Sequence, residues 1–285
     1  MLGPLITAIP TPFDDNNKIN EKLVLRFINY LANNGSDAIV LAGTTGEGTA
    51  LTEEEKIGLF KLVLDNPVKN LKVIANVGTN NTQATIDFIK KIDHLNFDGY
   101  LVIVPYYVKP TQKGIFEHFK AVAGSTNKPI MIYNVPSRCG VSIEYETLAC
   151  LIANCPNIKA LKHASNDLEM IRKLKASYPT FEIYIGEDKL LLKSLRYGAD
   201  GVVSVISNAY CNDVRELLDD FEAGIENEKL MEYLSLISEM AFIETNPAPI
   251  KYILTKKGFD FKNIRLPLVP IEKTSADKID VILGD

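Results

Sequence analysis

Short apolar runs recur along the chain, each followed by turn-forming residues and then by a longer stretch whose apolar positions return at helical spacing. Residues 5–10 read as a first strand, ended by the turn-rich Thr11-Pro12-Phe13-Asp14-Asp15, and Asn20 caps a helix reaching about Asn34. The second strand, residues 38–41, opens into Gly43-Thr44-Thr45-Gly46-Glu47-Gly48; Thr52 and Glu55 then have capping-box spacing for a helix ending near Pro67. Residues 73–76 form the third strand, and the next helix carries Ile86, Ile89 and Ile92 as its inward stripe. The fourth strand, residues 100–104, meets Pro105 and the pair Tyr106-Tyr107; a helix after Thr111 then buries Ile115, Phe119 and Val122. Residues 129–134 form the fifth strand, residues 143–153 a helix, and residues 158–162 the sixth strand. A helix with Leu168, Ile171 and Leu174, a strand at 181–185, a helix reaching Tyr197 and a last strand at 201–205 complete the series.

Strand and helix units repeated in this way, with short turns, predict an α/β fold, a TIM (β/α)8 barrel over residues 1–211. From Asn212 the pattern is helical only, over about 214–221, 226–243 and 247–256, so residues 212–285 read as a C-terminal helical region packed on the barrel. A doubly wound nucleotide fold is disfavoured, because the loop after the first strand is Pro10-Thr11-Pro12 and lacks the glycines that cradle a pyrophosphate.

Apolar residues make up 46% of the 285, enough for a full core. Lys and Arg total 31 against 36 Asp and Glu, a net charge of −5, so no nucleic-acid partner is expected. No apolar stretch reaches bilayer length, and the first dozen residues lack the basic flank and apolar core of a signal peptide. A cytoplasmic protein with free thiols is the expectation. The 4 cysteines form no CxxC pair and the 3 histidines, His94, His118 and His163, do not cluster in sequence. Asp14-Asp15, Glu47, Glu187 and Asp188 show no metal-ligand spacing, so no metal is expected.

The candidate chemistry lies at the carboxyl ends of the strands, where a barrel builds its site: Thr44, Thr45, Glu47, Tyr107, Tyr133, Arg138, Lys162, Gly186 and Ser204. Lys162 ends an apolar strand in which Ile158, Ala160 and Lys162 share a face. A lysine there must be paired, neutralised or used chemically; burial favours the neutral amine, which is the form that attacks a ketone. Pairing with a carboxylate such as Glu187 is the structural alternative. Tyr133 ends the preceding strand, where its hydroxyl can pass protons during imine formation, with Tyr107 and Thr44 or Thr45 as the source of replacement protons. Arg138 sits in a loop stiffened by Pro136 and offers paired donors to a carboxylate, or else a salt bridge on the rim. The Gly43 to Gly48 loop presents N–H groups to an anion, or is simply a tight turn.

Together, Gly43-Thr44-Thr45-Gly46-Glu47, Pro105-Tyr106-Tyr107, Tyr133-Asn134-Val135-Pro136-Ser137-Arg138, Ile158 to Lys162, Gly198-Ala199-Asp200-Gly201 with Ser204, and Arg265-Leu266-Pro267-Leu268-Val269-Pro270 span nearly the whole chain. In these motifs the chain resembles the dihydrodipicolinate (4-hydroxy-tetrahydrodipicolinate) synthase family, within the class I aldolase superfamily of N-acetylneuraminate lyase. The resemblance implies that pyruvate forms an imine with Lys162 and, as an enamine, attacks the aldehyde of aspartate-4-semialdehyde; transimination by the substrate amine then closes the ring and frees Lys162. It implies no cofactor beyond that covalent imine. It assigns Tyr133, Thr45 and Tyr107 to a proton relay, with Tyr107 reaching across a tight dimer, and Arg138 to the semialdehyde carboxylate. Backbone groups around Thr44 and Thr45 would hold the pyruvate carboxylate, and the main chain near Ile206 would lie beside the substrate, with Gly186 a further candidate there. A homotetramer built as a dimer of dimers is the implied assembly. Sister aldolases acting on N-acetylneuraminate or a 2-keto-3-deoxy sugar acid, or a non-catalytic keto-acid-binding barrel, are the competing readings; Thr44-Thr45 and Ser137-Arg138 favour the synthase.

Four positions, in two regions of the chain, depart from the family pattern. Lysine-sensitive relatives commonly carry histidine or another donor near positions 53 and 56 and glutamate at 84; here these are Glu53, Lys56 and Ala84, which predicts weak or absent lysine inhibition. Cys139 stands where the loop more often has threonine, and reads either as an inert packing residue or as an oxidisable thiol.

Overall fold

The computed structural model describes residues 2–284. Its parallel strands close into a barrel in sequence order: β1 (Leu5–Ala8), β2 (Ala38–Leu41), β3 (Lys72–Asn76), β4 (Gly99–Ile103), β5 (Ile130–Asn134), β6 (Ile158–His163), β7 (Glu182–Ile185) and β8 (Gly201–Ser204). The barrel expectation is met. β1, β2, β5 and β8 are buried along their whole length, as parallel strands covered on both faces must be. The helices are α1 (Glu21–Asn33), α2 (Glu53–Asp65), α3 (Thr82–Ile92), α4 (Gln112–Ala123), α5 (Pro136–Cys139), α6 (Tyr145–Asn154), α7 (Glu169–Ser177), α8 (Leu191–Arg196), α9 (Cys211–Glu222), α10 (Glu228–Ala241), α11 (Ala248–Lys256) and α12 (Lys273–Leu283).

Local chemistry explains where several helices begin. Asn20 accepts from the Leu23 N–H at 3.1 Å to start α1. Thr52 and Glu55 form the anticipated reciprocal box on α2, the Thr52 hydroxyl accepting from Glu55 N–H at 3.2 Å and the Glu55 carboxylate from Thr52 N–H at 3.0 Å. Thr111 caps α4 in the same manner.

Three elements differ from the pattern read along the chain. The buried stripe of α3 is Thr85, Phe88, Ile89 and Ile92, with Ile86 only half-buried at its flank. Ile89 and Ile92 project back onto Thr85 and Phe88 at helical spacing, and the larger Phe88 takes the inward place. The segment read as a stiff loop after β5 holds one helical turn, α5: Pro136 at its start is already set for helical φ, and Gly140 ends it at φ +73. α12 was not anticipated, because Ile279 is its only buried residue and a single apolar contact leaves no periodic stripe to read.

The chain forms two compact units, one of residues 73–203 and one of residues 4–72 with 204–285. In the second, the Thr7 hydroxyl on β1 shares hydrogen bonds with Ser36 at 2.8 Å and Ser207 at 2.9 Å, and Asn208 donates to the Ala8 carbonyl at 2.8 Å. The residues after β8 thereby satisfy polar groups at the first strand. No helix among the described residues is long and apolar enough to cross a membrane.

Candidate active site

In the unit of residues 73–203, the site is built on the paired ends of β5 and β6. Parallel register sets Tyr133 opposite Lys162 and Asn134 opposite His163. Period-two alternation then turns Tyr133 and Lys162 to the same side, and Lys162 Nζ lies 4.4 Å from the centroid of the Tyr133 ring. Lys162 is 7% exposed, whereas Lys159 at the strand's start is exposed, so the two lysines of one strand have opposite environments.

No hydrogen bond or ion pair engages Lys162 Nζ among the described residues, so the carboxylate-paired alternative is not what the side chain adopts. Burial drives its ammonium down to about 8; Asp188 and Glu187 oppose the shift, and the Arg138 guanidinium adds to it. Burial and the neighbouring Asp188 charge raise the Glu187 carboxyl in turn, while Lys162, Lys189 and Arg138 pull it back. A neutral amine is therefore accessible near neutrality without a dedicated base.

Neighbouring backbone keeps the amine's surroundings in place. His163 is hydrogen-bonded through Nε2 to the Asp167 carbonyl at 2.9 Å; that ring nitrogen must donate, which leaves Nδ1 to accept from Asn134 at 3.4 Å. Gly186, at the end of β7, approaches closely: a Cβ built there would lie 2.8 Å from Ala164 Cβ and 3.0 Å from Lys162 Cε. Absence of a side chain at Gly186 is thus what gives the Lys162 stem its room.

Arg138 is exposed on α5, one residue before Cys139. The Cys139 thiol donates to the Val104 carbonyl at 3.1 Å, tying α5 to the end of β4, and burial pushes it up to about 11. A buried thiol that donates to a carbonyl has the surroundings of a packing residue. Tyr107 is 85% exposed and its backbone is left-handed, with φ +72.

In the other unit, the loop after β2 carries Thr44 and Thr45. Ala42 and Glu47 both have positive φ, at 53 and 52, and a Cβ on Gly48 would fall 1.9 Å from the Ala42 carbonyl oxygen, so only glycine closes this turn. Thr45 is buried, and its hydroxyl accepts from Asn246 Nδ2 at 2.9 Å. Glu47 forms a buried ion pair with Lys251 of α11. Its other oxygen accepts the Arg265 N–H at 2.8 Å, and the Arg265 side chain forks onto Glu55 at 2.6 and 2.7 Å and reaches the Ala50 carbonyl at 3.0 Å. Ser204 accepts from the Ser207 N–H at 2.9 Å, and Ile206 is fully buried in the turn that follows.

Lys162, Tyr133, Gly186, Glu187 and Arg138 are thus brought together in one unit, while Thr44, Thr45, Ser204 and Ile206 belong to the other. Asn246, Lys251 and their contacts were not foreseen. The available signal was a lysine set among the apolar Ile250, Ile253 and Leu254 of a helix, which needs a buried carboxylate. Among the described residues no group of His, Cys, Asp and Glu is placed to hold a metal ion. Asp15, one of the carboxylates weighed above for metal-ligand spacing, pairs with Lys262 at 3.0 Å.

A closed eight-stranded barrel with a buried lysine at the end of its sixth strand, faced by a tyrosine on the fifth, defines the class of lysine-bearing aldolase-type barrels. Within that class, the model of the Dihydrodipicolinate synthetase family matches residues 1–285, and the chain belongs to that family. The chain is 40% identical over 286 residues to the 4-hydroxy-tetrahydrodipicolinate synthase of Synechococcus sp. (strain JA-2-3B'a(2-13)), covering 99% of this chain and 93% of the relative. The crystal structure of a dihydrodipicolinate synthase from Bacillus anthracis superposes with a TM-score of 0.96 at 37% identity, over 100% of this chain and 98% of that one. The synthase of Cyanidioschyzon merolae, solved with lysine bound, gives 0.95 at 36% identity, over 99% and 98%.

Proposed function

We infer that the chain condenses pyruvate with L-aspartate-4-semialdehyde, giving 4-hydroxy-tetrahydrodipicolinate and water, a step of lysine and diaminopimelate biosynthesis. The observation that carries this reading is the uncommitted, buried Lys162 amine lying over the Tyr133 ring in a member of this family. The neutral amine attacks the pyruvate ketone, and Tyr133 relays protons as the carbinolamine forms and loses water. Loss of a methyl proton converts the imine to an enamine, whose carbon attacks the semialdehyde aldehyde. The substrate amine then displaces Lys162 by transimination, closing the ring and restoring the free lysine.

The remaining roles follow the resemblance. Thr45 and Tyr107 complete the relay, backbone groups at Thr44 and Thr45 hold the pyruvate carboxylate, Arg138 binds the semialdehyde carboxylate, and the main chain at Gly186 and Ile206 borders the substrate. The exposed guanidinium of Arg138, on a helical turn tied to β4, supports its part. In this reading residues 1–211 are the catalytic barrel and residues 212–285 its helical extension. The working form is a homo-oligomer, a dimer of dimers in which Tyr107 is shared across the tight dimer; an 85% exposed tyrosine in left-handed backbone is the observation that supports the sharing. The enzyme works in the cytoplasm, where its free cysteines, Cys139, Cys150, Cys155 and Cys211, stay reduced.

Lysine inhibits this enzyme weakly or not at all. Ala84 is exposed on α3 without a carboxylate for an effector's ammonium, and Lys56 adds positive charge. Isothermal titration with lysine checks this, and micromolar binding would overturn it.

Borohydride reduction in the presence of pyruvate, followed by peptide mass measurement, tests the mechanism: the adduct falls on Lys162, and turnover is found with aspartate semialdehyde. An unmodified Lys162, or cleavage of N-acetylneuraminate or a 2-keto-3-deoxy sugar acid in its place, refutes the assignment. Tyr133→Phe slows imine formation by about 100-fold with the fold intact.

A further inference from the structure

We propose that His163 is a positioning residue for Arg138: acting through Asn134, it fixes the stretch of chain that follows the Arg138-bearing turn. This rests on the reading above in which Arg138 binds the semialdehyde carboxylate. All three residues lie in the unit of residues 73–203. Asn134 ends β5 and His163 ends β6, both buried, and strand alternation turns them to the side opposite Tyr133 and Lys162.

Ile143, Asn134, His163 and Asp167 form one polarised chain of hydrogen bonds. The Ile143 N–H donates to Asn134 Oδ1 at 3.1 Å, Asn134 Nδ2 donates to His163 Nδ1 at 3.4 Å, and His163 Nε2 donates to the Asp167 carbonyl at 2.9 Å. Its two ends set its direction. A backbone N–H only donates, so the Asn134 atom facing Ile143 is the carbonyl oxygen and the amide nitrogen faces His163. A backbone carbonyl only accepts, so Nε2 carries the ring hydrogen and Nδ1 is left as the acceptor. The other amide hydrogen of Asn134 goes to Ser142 Oγ at 3.1 Å. Only a neutral imidazole fits, because an imidazolium would set a ring N–H against the amide N–H. Burial pushes the His163 imidazolium down, against the pull of the Asp167 carbonyl and carboxylate.

The chain holds the stretch between α5 and α6. Residues 140–144 belong to no helix or strand, and Ile143 is buried, so its N–H depends on the Asn134 oxygen. The turn that carries Arg138 is thereby fastened at Cys139, on the Val104 carbonyl, and again at Ser142 and Ile143, on Asn134. On the outer side, Gln112 donates to the Ser142 carbonyl at 2.8 Å and accepts from the Glu144 N–H at 3.0 Å and the Thr147 hydroxyl at 2.8 Å. Arg138 is exposed, so its placement is inherited from this backbone. Without the His163 acceptor, one buried hydrogen of the Asn134 amide loses its partner; turning the amide over in response costs Ile143 its own.

The test compares His163→Leu, His163→Gln, Gln112→Leu and Arg138→Gln in the full-length enzyme. It reads the rate of imine formation with pyruvate, the KM for aspartate semialdehyde and amide hydrogen exchange over residues 140–144. His163→Leu neither accepts nor donates. It is expected to raise the semialdehyde KM about fivefold or more and to speed exchange at 140–144 about tenfold, while imine formation stays within about twofold of the parent. The amide of His163→Gln can accept from Asn134 and donate to Asp167, and it keeps both steps within about twofold of the parent. Gln112→Leu loosens the same stretch from outside with β6 unaltered; it gives the same split between KM and imine formation, and so carries the test should His163→Leu not fold.

A role confined to stability predicts either an unchanged KM in the folded variants or an equal loss in both steps. Each of those results overturns the proposal, as does a Gln variant no better than Leu. If Arg138→Gln raises the KM while a folded His163→Leu does not, the assignment to His163 fails and the role of Arg138 stands. If Arg138→Gln leaves the KM unchanged, the reading of Arg138 fails and takes the proposal with it.

Discussion

Two lysines in this molecule are buried to a similar depth and meet opposite ends. Lys162 closes β6 and Lys251 sits in α11, and burial drives the ammonium of each down to about 8. Lys251 is 1% exposed and fully engaged: it pairs with Glu47, donates to the Asn263 carbonyl at 2.9 Å, and lies 4.6 Å from the centroid of the Phe13 ring. Among the described residues Lys162 Nζ makes no hydrogen bond or ion pair; it lies over the Tyr133 ring, and the charges of Glu187 and Asp188 oppose its deprotonation. Burial lowers the affinity of an amine for its proton in both places. What separates a structural lysine from a nucleophile is whether the neighbours consume its donors.

The largest expected effect comes from removing each amine while keeping its volume. Lys162→Met loses about a thousandfold or more of condensation activity and all borohydride-trappable adduct, yet unfolds in urea no earlier than the parent, because a buried uncompensated amine is removed. Lys251→Met should do the opposite to stability. It strands Glu47 as an unpaired buried charge and costs about 3–5 kcal/mol, part of which returns in the double variant Lys251→Met with Glu47→Gln. Equal urea midpoints for the two methionine variants would break the contrast.

A smaller effect lies in pH. Lys162 must be neutral to attack, so the rate of imine formation at fixed pyruvate falls about tenfold per unit as pH drops below about 8 and levels off above it. The same shift appears in stability. The folded value lies below the ordinary lysine range, so the unfolded chain binds the proton more tightly; the stability contribution is full above the unfolded value and is lost as pH falls through about 8. Lys162→Met abolishes this component, which urea unfolding across pH measures directly. The smallest effect is expected from Gly186→Ala, whose new methyl crowds Ala164 and the Lys162 stem. A severalfold slower imine formation with about 1 kcal/mol lost stability is expected; an unchanged rate would show that the stem has slack.

Much of the fold could be read directly from the chain. Most of the parallel strands are short, largely apolar runs, and helix starts at Asn20, Thr52 and Thr111 follow from side-chain caps that act within three residues. The stripe of α3 was misread by choosing Ile86 over Phe88, since isoleucines at spacing three and helical neighbours at spacing three or four are hard to separate without the packing partner. α12 escaped because it buries one residue, and α5 because a single turn has no period.

The candidate site divides along the same line. Lys162 opposite Tyr133 was legible because strand alternation and parallel register are local rules with a period of two. Asn246 over Thr45 and Lys251 on Glu47 join residues 201 and 204 positions apart. No local rule links such positions; an asparagine before a proline and a lysine among isoleucines each have many possible partners along a chain. Short-range sterics and hydrogen bonding write a barrel and the placement of its amine into the order of residues. Which lysine is left free, and which hydroxyl is held from behind, arises only when distant segments close around them and use up, or leave open, their hydrogen-bonding capacity.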